Sequence, residues 1–499
     1  MLQNPLPVII QGGMGVGISD WKLARAVCLA GQLGVVSGTA IDVIVARRLE
    51  SGDPDGHVRR ALQHLPLPGV ADRILERYFT PGGKPPNRPF KSKPLPSEAP
   101  SRAATELIVA SNFVEVFLAK EGHDRPVGIN LLEKIQAPTL PSLYGAMLAG
   151  VSCVLMGAGI PRSIPGALDR LANHQSAELR LDVQGALPSD SFVSHFDPSQ
   201  LEANPFPQLT RPAFFAIVSS ASLATILARK SNGRVDGFII ESHTAGGHNA
   251  PPRGTMQLTA KGEPIYGERD IPDLAAIRAL GLPFWLAGSY AHPDRIREAR
   301  EAGAAGVQIG TAFAFCDESG LAPHLKAQVI ALVSSRPPDV FTDPLASPTG
   351  FPFKVLPLPG TLADPLAPAR SLRICDLGYL RTAFRTSDGS LGWRCPAEPI
   401  DDFIAKGGHP DDTRGRACIC NALLANTGLG QLRTPSTPST TTSTLEPELP
   451  LITTGDDIAC IAQFVDPVLH SYSAATVIAT LLNAPGITPG PHPPGMRTV

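Results

Sequence analysis

Along the first 345 residues, short apolar runs alternate with amphipathic stretches. The runs are Val8–Gln11, Gly34–Ser37, Val127–Asn130, Cys153–Met156, Phe214–Val218, Gly237–Glu241, Phe284–Leu286 and Gly306–Ile309. Near-continuous apolar strands are the mark of a sheet covered on both faces. Helical patterns stand between many of them. ISDWKLARAVCLAG follows the first run, with Ser19 or Asp20 as N-cap, and HPDRIREAREAG follows the seventh. Strand–helix alternation of this kind predicts a parallel α/β sheet, and eight units are the number that closes a TIM (β/α)8 barrel. An open, doubly wound sheet is the alternative arrangement.

Two stretches interrupt the rhythm. Residues 50–107 are Pro-rich and poorly periodic, and predict an insertion after the second strand, on the loop face. Residues 161–211 are also long, and RLDV within them predicts an extra strand. The alternation stops beyond Val340. We therefore read residues 1–345 as the barrel and 346–499 as a loop-rich C-terminal extension. Within the extension, residues 434–444 (TPSTPSTTTST) form a low-complexity linker and the last residues should fray.

Composition narrows the class. Gly 47 and Pro 51 in 499 residues make the chain rich in turns, while 43% hydrophobic residues suffice for a large core. A formal net charge of −2 without a basic run gives no pull toward nucleic acid or anionic lipid. No run approaches a membrane span, and MLQNPLPVIIQGG has no basic region ahead of an apolar stretch. The expectation is a cytoplasmic protein with neither nucleic-acid nor membrane partners.

In a parallel barrel, chemistry sits where strands end at their C-termini. The first strand runs into Gly12-Gly13-Met14-Gly15-Val16-Gly17, whose spacing fails the G-x-G-x-x-G dinucleotide pattern. The third ends at Asn130. The sixth opens the densest motif, Glu241-Ser-His-Thr-Ala-Gly-Gly-His-Asn-Ala-Pro-Pro-Arg-Gly254. Its diglycine allows the backbone close to a flat ligand, and His248 supplies an imidazole suited to proton chemistry near neutral pH. Gly288 and Ser289 after the seventh strand, with Gly310 and Thr311 after the eighth, have the makings of a phosphate cradle. Together these loops describe a flat phosphorylated cofactor, and FMN has that shape. Four late cysteines, Cys375, Cys395, Cys418 and Cys420, read as separate buried residues with no metal; the alternative is a zinc or iron–sulfur site, for which the C-x-C pair is tighter than usual. Cys28, Cys153 and Cys316 read as packing residues.

PVIIQGGMG, AGGHNAPPRG and AGAAGVQIGTAF, in this order, resemble the nitronate monooxygenase family, the 2-nitropropane dioxygenase-like enzymes, over residues 5–345. The resemblance implies an FMN-binding barrel with His248 as the catalytic residue beside the flavin. It implies flavin contacts at Gln11, Gly12, Gly13, Met14, Asn130, Gly246 and Gly247, with Gln308 at the ring. Phosphate-side contacts would fall on Gly288, Ser289, Gly310 and Thr311, Ser289 standing where the family usually has glycine. The implied reaction oxidises alkyl nitronates with O2 to a carbonyl compound and nitrite. His248 would hydrogen-bond the nitro group, or remove the α-proton of a neutral nitroalkane. Relatives on the same barrel include NAD(P)H-dependent enoyl-thioester and quinone reductases, so such a reductase is the alternative activity.

Overall fold

The computed structural model describes residues 5–201, 207–364, 366, 373–434 and 445–483. Eight parallel strands form one sheet: β1 (Ile9–Gln11), β2 (Gly34–Ser37), β3 (Val127–Leu132), β4 (Cys153–Gly157), β5 (Ala213–Val218), β6 (Gly237–Glu241), β7 (Phe284–Ala287) and β8 (Gly306–Ile309). Their order is β1-β8-β7-β6-β5-β4-β3-β2. Pairing of the first strand with the eighth (Ile10 beside Gln308) decides between the two sheet arrangements. On its other side β1 bridges to Leu33, at the foot of β2, where the Gln11 amide donates to the Leu33 carbonyl at 2.9 Å. The eight strands form a nearly closed barrel and not an open, doubly wound sheet.

The period-2 geometry of strands sends alternate side chains inward. Ile10, Val35, Leu155, Phe215, Ile239 and Trp285 form the interior cluster. Trp285 is fully buried, and its indole N–H donates to the Pro7 carbonyl at 2.9 Å, so its one polar atom is satisfied. The other face of each strand packs against the helices. The helix Trp21–Leu29 begins at Asp20, whose carboxylate accepts from the backbone N–H groups of Lys22 and Leu23, the cap read from the sequence.

The insertion departs from the expectation of an irregular loop. It contains helices His57–Leu62 and Val70–Tyr78, which pack on the barrel helices Ile41–Glu50 and Arg102–Lys120. Val70, Ile74 and Tyr78 are buried at helical spacing, in a segment too short and too flanked by Gly and Pro to stand out. Its remainder reaches the extension: the Phe90 N–H donates to Gln431, and the Trp393 indole donates to Glu98. RLDV is not one strand. Arg180 ends a strand paired with Val193–Phe196, and Val183 starts another that pairs with Thr382–Arg385.

The extension shares the barrel's core. Leu356, Ile452, Tyr472, Val477 and Leu481 belong to the same buried cluster as the strands and helices of the barrel. A second cluster joins Phe353, Tyr379 and Ile419 to Val16 and Ile44 at the rim. The linker lies outside the described residues except for Thr434, and the residues expected to fray lie outside them entirely. No helix among the described residues is long and apolar enough to cross a membrane.

Candidate active site

The loops after all eight strands surround one cavity of about 500 Å³ at the C-terminal rim, within the usual size range of a small-molecule site. Twelve of the thirteen residues singled out from the sequence line it, namely Gly12, Gly13, Met14, Asn130, Gly246, Gly247, His248, Gly288, Ser289, Gln308, Gly310 and Thr311. Gln11 does not. Its side chain is buried below the rim, where its amide donates to the Ser19 hydroxyl at 2.7 Å and its carbonyl accepts from Val35 N–H at 2.9 Å. Gln11 braces the first loop from beneath and is not part of the cavity wall. Asn130 divides its role, lining the cavity while donating to the Gly13 carbonyl at 3.1 Å.

The extension completes the cavity wall. Phe351, Phe353, Tyr379, Leu423, Thr453 and Asp457 all line it. Two segments clasp the Ala-Gly-Gly-His loop from either side. Lys354 N–H donates to the Gly247 carbonyl (3.0 Å) and Asn249 N–H to the Pro352 carbonyl (2.9 Å). On the opposite side Gly247 N–H donates to the Thr453 hydroxyl (2.8 Å), and Asp456 N–H to the Thr244 carbonyl (3.0 Å). This changes the meaning of the diglycine. A Cβ on Gly246 would lie 2.8 Å from the Thr454 carbonyl carbon, so Gly246 makes room for the extension. Gly247, at φ +79°, has nothing within 4 Å of its Cβ position and is the glycine that leaves space beside the histidine.

His248 ends this loop. Its Nε2 lies 2.7 Å from the Ser347 hydroxyl, and its ring meets Phe353 edge-on with centroids 4.8 Å apart. Burial, assisted by the positive charge of Lys134, holds its pKa well below the ordinary histidine range, so the imidazole is neutral at pH 7. A second titratable group faces the cavity at the inward-pointing end of β6. Burial pushes the Glu241 carboxyl up to about 7. His243 stacks on Tyr266 at 4.2 Å, forming part of the outer wall, with Arg253 also lining the mouth.

The residues suit a flat, anionic cofactor at several points. Ser289 Oγ and Gln308 Oε1 are buried without a hydrogen-bond partner among the described residues, and both line the cavity. Unpaired buried polar atoms in a native site point to a ligand or water that completes them. Gly288 holds φ +100°, and a Cβ there would stand 2.2 Å from the Ser242 hydroxyl, so backbone alone fits at the cradle. One acidic group stands beside it. Asp457 lines the cavity with Thr311, and burial raises its pKa.

The late cysteines do not assemble into a metal centre. Among the described residues no group of three or more His, Cys, Asp or Glu side chains is arranged to hold a metal. Cys375 and Cys395 are electrostatic neighbours, and the interaction lowers the pKa of the first and raises that of the second. Cys418 donates instead to the Ile374 carbonyl at 2.9 Å, and Cys420 faces the cavity. Ser347, Thr349, Phe353, Glu241 and Lys134 were not anticipated from the sequence. Only Glu241 carried a signal, as an acidic residue closing an otherwise apolar strand.

Residues 180–333 match the family model described as nitronate monooxygenase. No curated protein matches the chain. Three solved structures show the range of similar chains. FabK from Thermotoga maritima is 16% identical with a TM-score of 0.42, over 96% of this chain and 92% of that one. A nitroalkane oxidase from Streptomyces ansochromogenes is 16% identical with a TM-score of 0.41, over 96% and 94%. The enoyl reductase domain of MlnA from Bacillus amyloliquefaciens is 11% identical with a TM-score of 0.44, over 95% and 93%.

Proposed function

We propose that this chain, which carries a nitronate monooxygenase family domain and is a flavin oxidoreductase, binds FMN in the rim cavity and oxidises small alkyl nitronates with O2. The observation that carries the reading is a neutral imidazole, His248, lining a cavity ringed by all eight strand ends and bordered by buried, unpaired polar atoms. FMN, when bound, accepts electrons from the substrate and delivers them to oxygen; the protein supplies placement and electrostatics.

The chain's own residues would act as follows. The backbone N–H groups of Gly288, Ser289, Gly310 and Thr311, with the Ser289 hydroxyl, would donate to the phosphate, and Gln308 would offer its side-chain amide to the ring. Gly12, Gly13 and Met14 close the opposite side. Arg253, at the mouth, draws in an anion. His248 hydrogen-bonds the nitro oxygens, where charge resides in the nitronate. The extension, through Phe351 and Phe353, shields the reacting carbon from water.

Anaerobic titration of the purified flavoprotein tests this. A preformed nitronate should reduce the flavin directly, without NADH or NADPH, and admission of air should release nitrite. Rapid bleaching by NADH or NADPH with no response to nitronates would overturn the reading in favour of an enoyl-thioester or quinone reductase.

A further inference from the structure

Ser347 does more than touch His248. Its hydroxyl lies 2.8 Å from the Thr349 hydroxyl, and Thr349 Oγ1 lies 3.4 Å from Lys134 Nζ. Ser347 is fully buried, and Lys134 sits over the Phe351 ring at 4.5 Å. The chain of groups thus runs His248–Ser347–Thr349–Lys134. Its direction follows from counting donors and lone pairs. An ammonium can only donate, so Thr349 Oγ1 accepts from Lys134. It also accepts from the Phe351 N–H at 3.4 Å, which uses its second lone pair. The Thr349 proton must therefore go to Ser347. Ser347 Oγ accepts that proton's bond and the Thr349 N–H at 3.2 Å, so both its lone pairs are taken. Its own proton is left for His248 Nε2. A neutral imidazole that accepts at Nε2 carries its proton at Nδ1. Among the described residues, nothing pairs with Nδ1, and the ring lines the cavity.

We infer that the hydroxyls of Ser347 and Thr349, oriented by Lys134, lock His248 in the Nδ1–H tautomer, so that it offers the cavity a hydrogen-bond donor and not a base. Ser347, Thr349 and Lys134 are positioning residues. The consequence, which rests on the proposed function, concerns the substrate class. A donor matches a substrate that arrives already anionic at oxygen, such as a preformed nitronate. It cannot remove the α-proton of a neutral nitroalkane without first giving up its own proton.

The tautomer is directly readable in the flavoprotein without any substrate. In long-range 1H–15N correlation spectra of 15N-histidine-labelled protein, His248, assigned by its absence in His248→Gln, should show a protonated Nδ1 and a bare Nε2. Ser347→Ala should turn this into an averaged pattern, and Ser347→Thr should restore it. Should Ser347→Ala not fold, Lys134→Met is expected to average the pattern more mildly. A protonated Nε2 in the unaltered protein, or an unchanged pattern in a folded Ser347→Ala, overturns the inference. With substrate, kcat/KM for a preformed nitronate should exceed that for its parent nitroalkane by at least tenfold, and Ser347→Ala should narrow that ratio. Equal rates in the unaltered protein count against the lock. If nitronates prove inert while the Nδ1–H signature is present, the lock stands and the assigned reaction falls.

Discussion

Phe353, in the extension, lies edge-on against the His248 ring at 4.8 Å and 65°, and the two residues also share an antiparallel bridge. The imidazole is therefore held from outside the barrel. Phe353 is 1% exposed, and truncating a buried phenylalanine typically costs about 3–5 kcal/mol. Phe353→Ala should lower the melting temperature and reduce turnover further than it reduces flavin occupancy. Thermal melts beside absorbance of the bound flavin measure both. Unaltered kinetics in a destabilised variant would show that the contact is merely structural.

His248→Ala leaves the glycine loops and the phosphate end intact. The variant should purify yellow yet lose about 10²-fold or more in turnover, the usual size for a positioned hydrogen-bonding or proton-handling group. Activity within twofold of the unaltered enzyme would remove His248 from the chemistry.

Asp457 places a carboxyl beside the loop that would hold the phosphate. Like charges at close range oppose each other, so phosphate binding there is weakened whenever Asp457 is ionised. Asp457→Asn should tighten FMN about tenfold, equivalent to about 1.4 kcal/mol. Riboflavin, which lacks the phosphate, should be unaffected. Fluorescence titration of the apoprotein with both flavins separates the cases, and equal effects on the two would place the phosphate elsewhere.

The buried carboxyl of Glu241, pushed up to about 7, ties stability to pH. Its folded pKa exceeds that of an unfolded glutamate near 4.3. The native state thus holds the proton longer, and stability falls as pH rises from about 4.3 to 7, then levels off. Glu241→Gln removes this penalty. The apo variant should be more stable than the parent at pH 8, by up to about 3 kcal/mol, and no different at pH 4. Denaturant titrations at the two pH values check the sign; an advantage at pH 4 alone would contradict it.

The barrel was legible because its strands are buried on both faces. Gly34–Ser37, Gly237–Glu241 and Gly306–Ile309 fall where the apolar pattern put them, and the other five strands differ by a residue or two at their ends. The rim loops were legible because glycine and histidine at a strand end are chemically conspicuous. Gln11 misled, since a glutamine at that point reads the same whether it faces a ligand or, as here, Ser19 and Val35. Ser347 and Thr349 stayed hidden for a different reason. They lie in an aperiodic stretch, and their meaning depends on a contact about 100 residues away in sequence, 99 for Ser347 and His248. The short helices of the insertion were concealed by the Gly and Pro residues around them.

Because segments around Ser347 and Thr453 complete the wall that β6 begins, order of synthesis matters. When residue 345 has left the ribosome, every strand of the cylinder exists, but the imidazole still lacks its hydroxyl partner and the mouth gapes. A nascent chain could grip a flavin early yet present it to bulk water. Only after Thr453–Asp457 docks is the wall complete, so shelter for whatever the cavity holds waits on a segment made long after the last strand of the cylinder.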